Sequence, residues 1–273
     1  MGLVKLEINV RHIPYKSRED VFYIVPIGDT HLGNCGFEKD RLVELVEWIK
    51  NKENCFWIGM GDYVDCINYT DKRFDPDTID DKYIGLLSNA VSSQTEDIIK
   101  LLLPIKDKCI GLHRGNHEEK IRLTYHYDVM HEMKKSFDAP ILDDSAITIL
   151  LFDRQSSNAT NQIKIFSMHG CIGGRKGGNK VNWLEDLIAY VEADVYLIAH
   201  SHIKVAEIKT QLIVDRYYHL RQRKKVLGVT GSFLRGYVSG SSGYIEKMML
   251  PPTDLGVIKV IIIPDKYDLH VSL

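Results

Sequence analysis

The sequence predicts an α/β fold whose chemistry sits at the C-terminal ends of its strands. Three observations carry this expectation. Short apolar, β-rich runs alternate with longer amphipathic stretches of helical period. Several of these runs break into glycine-containing loops. Those loops carry aspartate, asparagine and histidine, and strand ends are where α/β sheets place their sites.

Val21 to Ile27 reads as a strand buried on both faces, and it ends in Gly28-Asp29-Thr30-His31-Leu32-Gly33. Phe37 to Lys50 sets Leu42, Leu45, Val46, Trp48 and Ile49 among charges, a helix that returns the chain to the strand Cys55 to Ile58. That second strand opens into Gly59-Met60-Gly61-Asp62-Tyr63-Val64-Asp65. A polar, proline-containing stretch follows, then a helix from about Ile84 to Leu103, so residues 66–107 read as an insertion beside the site. Lys108 to Leu112 is a third strand, ending in His113-Arg114-Gly115-Asn116-His117-Glu118, and one helix is expected from Glu119 to about Phe137.

Ala146 to Phe152 and Gln162 to Met168 are strand-like, the second ending at His169. A glycine-rich loop, Gly173 to Gly178, holds Arg175 and Lys176. It is no P-loop, because no Gly-Lys-Ser/Thr follows, yet either cation could reach a substrate phosphate. A helix from Asn182 to Glu192 leads to the strand Val195 to Ile198, which ends in Ala199-His200-Ser201-His202. Val205 to Ile213, Val226 to Thr230, Gly256 to Pro264 and Tyr267 to Ser272 complete the strands.

Composition bounds the reading. A chain of 273 residues, 44% hydrophobic and without a linker-like tract, suits one domain over residues 1–273. The 35 basic residues against 37 acidic ones give no global field toward nucleic acid or an anionic membrane. Five scattered cysteines without a Cys-x-x-Cys pair argue against a disulfide framework, and no stretch has the length and apolarity to span a bilayer, so a cytoplasmic protein is expected. His126 and His131 fall within the predicted helix and read as surface or packing residues.

In an extended segment residues i and i+2 point the same way, so Asp29 with His31, and His200 with His202, each aim two ligands at one place. Asn116 offers a neutral amide oxygen, and His117 titrates near neutrality. Any one of the five strand ends is weak alone; their ordered set is not.

That set, Asp-x-His, Gly-Asp-x-x-Asp, Gly-Asn-His-Glu, His and His-x-His, resembles the calcineurin-like metallophosphoesterase superfamily from about Val21 to His202. The resemblance implies a four-layer α/β/β/α sandwich of two mixed sheets. It implies two divalent ions, with Asp29, His31 and His202 on one, Asn116, His169 and His200 on the other, and Asp62 between them. Manganese is expected first, with iron, zinc, nickel, cobalt or magnesium as alternatives, since the ligands are oxygens and imidazoles. Such ions sit about 3.5–4 Å apart, clamp a phosphate and activate a water for in-line attack. His117 matches the residue beside the leaving-group oxygen, and Asp65 the carboxylate that orients it.

Departures from the pattern matter as much. The protein-phosphatase branch continues its second block with a phosphate-holding arginine, where this chain has Cys66-Ile67, although Arg114 matches that branch. The segment Gly231 to Tyr237, with Gly243-Tyr244 and Leu250-Pro251-Pro252, is similar to members found in phages and prokaryotes. Arg216 to Lys225 interleaves aromatic and basic residues that could follow a nucleic-acid backbone. The expectation is therefore a phosphoesterase with a slight lean to phosphodiester or nucleic-acid substrates. Its alternatives are a phosphomonoesterase and, from another class, a binding scaffold that kept the fold without the chemistry.

Overall fold

The computed structural model describes residues 6–65, 74–86, 89–157, 159–170, 176–215, 217–238 and 244–273. Among these residues the strands form two sheets. One sheet runs, in spatial order, β1 (Glu7–Tyr15), β6 (Ser145–Arg154), β7 (Thr160–Met168), β8 (Val195–Ile198), β10 (Leu220–Ser232) and β11 (Gly256–Val257), with β9 (Lys204–Val214) also paired to β10. The other runs β13 (Asp268–Ser272), β12 (Lys259–Ile263), β2 (Phe22–Ile27), β3 (Cys55–Gly59), β4 (Cys109–His113) and β5 (Ile141–Asp143). Both sheets are mixed: β2, β3, β4 and β5 pair in parallel while β12 runs antiparallel to β2, and β7–β8–β10 are parallel while β6–β7 are antiparallel.

The sheets face each other across an apolar layer that draws Phe22, Ile24, Ile58 and Ile110 from one and Leu150, Phe152, Ile165 and Leu197 from the other. Helices cover the outer faces. Against β2–β4 lie α1 (Lys39–Asn51), α2 (Ala90–Leu102) and α4 (Val129–Phe137), preceded by α3 (Asn116–Tyr125); against β8 and β10 lies α5 (Gly177–Leu187). A short α6 (Tyr244–Lys247) follows later. The layers are thus α/β/β/α. On α1, Leu42, Val46 and Ile49 are fully covered at helical spacing, each worth about 1.5–3 kcal/mol of apolar burial.

Pro26 sits inside β2 without breaking it. Tyr23 N donates to Asn54 O on the β3 side, so the even-numbered positions face β12, whose pairing reaches only Ile24. The donor that proline lacks would have met no strand.

Several expectations are corrected. The helix expected over 119–137 is two helices, because His126 adopts a left-handed φ of 54° and Asp128 caps α4 by accepting from Met130 N and His131 N. The helix expected to start at Asn182 starts at Gly177. β1 and β5 were not predicted: β1 alternates half-buried and exposed residues, and β5 has only three residues, too short to show a period. Within residues 66–107, expected as an insertion beside the site, Ile98 and Leu102 of α2 are core residues. Cys66 and Arg175 lie outside the described residues.

Candidate metal centre

The loops after β2 and β3 continue side by side beyond their strands. Asp29 N donates to Gly61 O, His31 N to Asp62 O, Leu32 N to Tyr63 O and Asp65 N to Leu32 O, at 2.9–3.1 Å. This ladder holds Asp29, His31, Asp62 and Asp65 in one wall. The loop after β4 closes onto it so tightly that a Cβ on Gly115 would lie 2.2 Å from both N and Oδ1 of Asp62. Only glycine fits there.

Glu118, in the first turn of α3, clamps these loops together. Its carboxylate accepts from the backbone N–H groups of Asp62 (2.8 Å), Tyr63 (2.7 Å), Val64 (3.2 Å) and Gly115 (2.9 Å). Burial and the nearby Asp62 charge push its pKa up to about 7 against the pull of those donors. The amide of His117 donates to Asp62 Oδ1 at 2.9 Å, leaving Oδ2 directed elsewhere.

Asp62 Oδ2 lies 3.2 Å from His169 Nε2 and 3.9 Å from His31 Nε2. Two clusters of ligand-type atoms therefore meet on this one oxygen. On one side His31 Nε2 and His202 Nε2 stand 2.9 Å apart, with Asp29 Oδ1 at 4.0 and 3.6 Å from them. On the other, His169 Nε2 is 3.1 Å from Asn116 Oδ1 and 3.3 Å from His200 Nδ1. His31, Asp62 and His117 also bring one atom each within 4.8 Å of one another.

Two histidines have their outer nitrogen engaged. His169 Nδ1 donates to Met60 O at 2.8 Å, and His31 Nδ1 lies 2.9 Å from Asp65 Oδ1, so their Nε2 lone pairs face inward. Asp29 Oδ2 accepts from His200 N at 2.8 Å, whereas its Oδ1 is buried with no hydrogen-bond partner. An unpartnered buried carboxylate oxygen facing two imidazole nitrogens fits a divalent cation better than a hydrogen-bond network.

The electrostatics agree with that fit. Burial opposes charge on His31, but the Asp65 hydrogen bond and surrounding carboxylates raise its pKa to about 9. Burial likewise opposes charge on His169, and Asp62 raises it to about 10. Burial holds His200 down to about 4 and His202 well below the usual histidine value. Burial raises Asp29 to about 7, while the neighbouring histidines outweigh burial and hold Asp62 low.

Backbone conformation carries a further signature. Asp29, His31, Asp62, His200 and His202 all have left-handed φ, between 47° and 67°. Such angles are uncommon outside glycine and persist where surrounding contacts enforce them. The i, i+2 convergence of Asp29 with His31 and of His200 with His202 is therefore made by turns, and the extended-strand reasoning that anticipated it had the wrong cause.

These residues form the floor of a cleft of about 680 Å³. Asn34, Asp65, Asn116, His117, His200 and His202 line it. Two expected substrate contacts do not. Arg114 pairs with Glu119 (3.3 Å) and Asp128 (3.5 Å), and Lys176 is an exposed residue ahead of α5. The basic run near Arg216 is likewise engaged within the chain: Arg221 pairs with Asp215, Arg223 with Asp194, and Lys224 with Asp268. Cys35 is half-buried and lines the cleft.

Sequence reasoning left three residues without a role. Glu118 carried a signal, an acidic residue in the first turn of a helix. Asn34, which donates to Asp65 Oδ2 at 2.8 Å, carried none. His113 is buried beside the site without joining it, 2.8 Å from Ser167 Oγ and 2.9 Å from Asp143 O, and burial lowers its pKa to about 4.

The family model for calcineurin-like phosphoesterases matches residues 22–226. The chain belongs to this family. The match supports metal-dependent hydrolysis of phosphate esters, and it spans all five ligand-bearing strand ends. Among solved structures, a predicted phosphoesterase from Streptococcus pneumoniae TIGR4 is 12% identical with a TM-score of 0.36, covering 89% of this chain and 84% of that one. Vps29 from Chaetomium thermophilum is 12% identical with a TM-score of 0.34, covering 92% and 96%. No curated protein sequence matches the chain. Among the described residues no helix is long and apolar enough to cross a membrane.

Proposed function

We propose that this calcineurin-like phosphoesterase is a dinuclear enzyme that hydrolyses phosphodiesters. The observation that carries the reading is Asp62, whose Oδ2 faces both ligand clusters while its Oδ1 is held by the His117 amide. Asp29, His31 and His202 would hold one ion, and Asn116, His169 and His200 the other, with Asp62 placed to serve both. Manganese is the first choice of metal for this set of oxygens and imidazoles. When bound, such ions would supply Lewis-acid stabilisation of the phosphate and a more acidic water.

The chain's own groups do the rest. His117 lines the cleft with Nδ1 3.4 Å from Asp65 Oδ1, so the carboxylate favours a proton on that nitrogen and stabilises the imidazolium. As water oxygen bonds to phosphorus and the P–O bond to the leaving group breaks, His117 gives a proton to the departing oxygen. Asp29 is kept rigid by the His200 amide and, through its carbonyl, by Phe233 N and Ser232 Oγ.

The test compares a bis-aryl phosphate diester, an aryl phosphate monoester and single-stranded DNA, each with manganese-loaded protein. Turnover of the diester is expected; turnover of the monoester alone would overturn the diester assignment. A protein that takes up no metal after loading would instead be a non-catalytic scaffold of this fold.

A further inference from the structure

The cleft above the metal floor has one apolar side, built by residues 234–238 and 245–252 together with the start of β9. Ile203, Val205, Leu234, Val238, Ile245 and Leu250 line it. This wall is firmly tied down. It begins directly after Ser232 and Phe233, both bonded to the carbonyl of Asp29. Tyr237 N donates to Glu246, Tyr237 OH donates to Leu250 O at 2.6 Å, and Leu250 N donates to Ile245 O at 3.0 Å. Lys247 reaches across the cleft to Asp75, and Lys204 anchors the far end through Asp254 at 3.0 Å.

Among the described lining residues the lysines and arginines are Lys204, Arg235 and Lys247, and each pairs with a carboxylate, of Asp254, Glu38 and Asp75 respectively. A monoester brings a second negative charge and a polynucleotide brings several, which unpaired lysines or arginines normally meet. A diester bound at the metals carries one negative charge and a second organic arm. An apolar wall tied to the loop that carries Asp29 suits such an arm.

Resting on the diester reading above, we infer that the enzyme selects small phosphodiesters whose retained arm is an aryl or similarly apolar group, seated against Leu234, Ile245 and Leu250.

The experiment keeps one leaving group and changes the retained arm. 4-Nitrophenyl phenyl phosphate and 4-nitrophenyl methyl phosphate are hydrolysed by the manganese-loaded full chain, with single-stranded DNA as a third arm. The phenyl diester is expected to exceed the methyl diester by about tenfold or more in kcat/KM, chiefly through KM. Leu250→Ser is expected to remove most of that preference, read as the ratio of kcat/KM for the two diesters. Equal kcat/KM for the two diesters in the wild-type protein, or DNA as the better substrate, overturns the inference and leaves the diester reading standing. Hydrolysis of neither diester by protein that holds metal overturns that reading, and the inference with it. The wild-type comparison decides the matter even if Leu250→Ser fails to fold.

Discussion

Asp65 lies closer to His31 than to His117: its Oδ1 is 2.9 Å from His31 Nδ1 and 3.4 Å from His117 Nδ1. One carboxylate oxygen thus lies beside both the residue proposed as a metal ligand and the residue proposed as the proton donor. The sequence motif had linked Asp65 to His117 alone.

Replacement of Asp65 by Asn is therefore expected to impair two functions together. Metal affinity should fall by about 10–100-fold through loss of the carboxylate behind His31. Turnover should fall as well, even at saturating metal. Metal titration alongside kcat separates the two effects, and unchanged affinity would confine Asp65 to His117.

His117→Asn should act on turnover alone. With both ligand clusters intact, metal content measured by mass spectrometry should match the wild type while kcat drops about 10²-fold or more. Parallel loss of metal would make His117 a ligand, as its place beside His31 and Asp62 would allow.

For Asp62→Asn the pattern reverses. Removing the shared negative charge should weaken both sites, so that metal stoichiometry falls toward zero at concentrations that fill the wild-type protein. A variant that still holds two ions at normal affinity would show that Asp62 is not shared.

Metal uptake should release protons. His31 and His169, raised to about 9 and about 10, are protonated at neutral pH, and an ion requires their lone pairs, so affinity should climb as pH rises toward 9. In metal-free protein the sign for stability is opposite. A histidine raised above its usual 6.5 stabilises the fold fully below that value and loses the contribution as pH passes through about 9, so the metal-free melting temperature should fall across this range. Calorimetry in buffers of different ionisation enthalpy, with melting curves beside it, reads both.

Glu118→Ala should cost stability first. Four backbone donors in two loops would lose their acceptor, and with each buried orphan costing about 1–3 kcal/mol the fold should lose about 3 kcal/mol or more. Thermal unfolding of the metal-free form measures it; a loss under about 1 kcal/mol would mean that water replaces the clamp.

By itself the sequence determined the alternation of strands and helices and the α/β class, because burial patterns are periodic and several strand ends are marked by glycine; the seven expected ligands followed from the resemblance of its ordered motifs to a known family. The tertiary structure decided what those patterns do not encode. The left-handed turns that converge Asp29 with His31 arise from ladder contacts with the Gly61–Asp65 loop, more than thirty residues away. Glu118 became a clamp only when α3 docked beneath that loop, and Arg114 turned to Glu119 and Asp128 because those carboxylates are its neighbours in space. The basic run after Arg216 read as a free surface until Asp215, just after β9, and Asp268 of β13 were found beside it. Local pattern fixes which groups leave a strand end. Which partner each one meets is a long-range matter, set by how the two sheets and their loops pack.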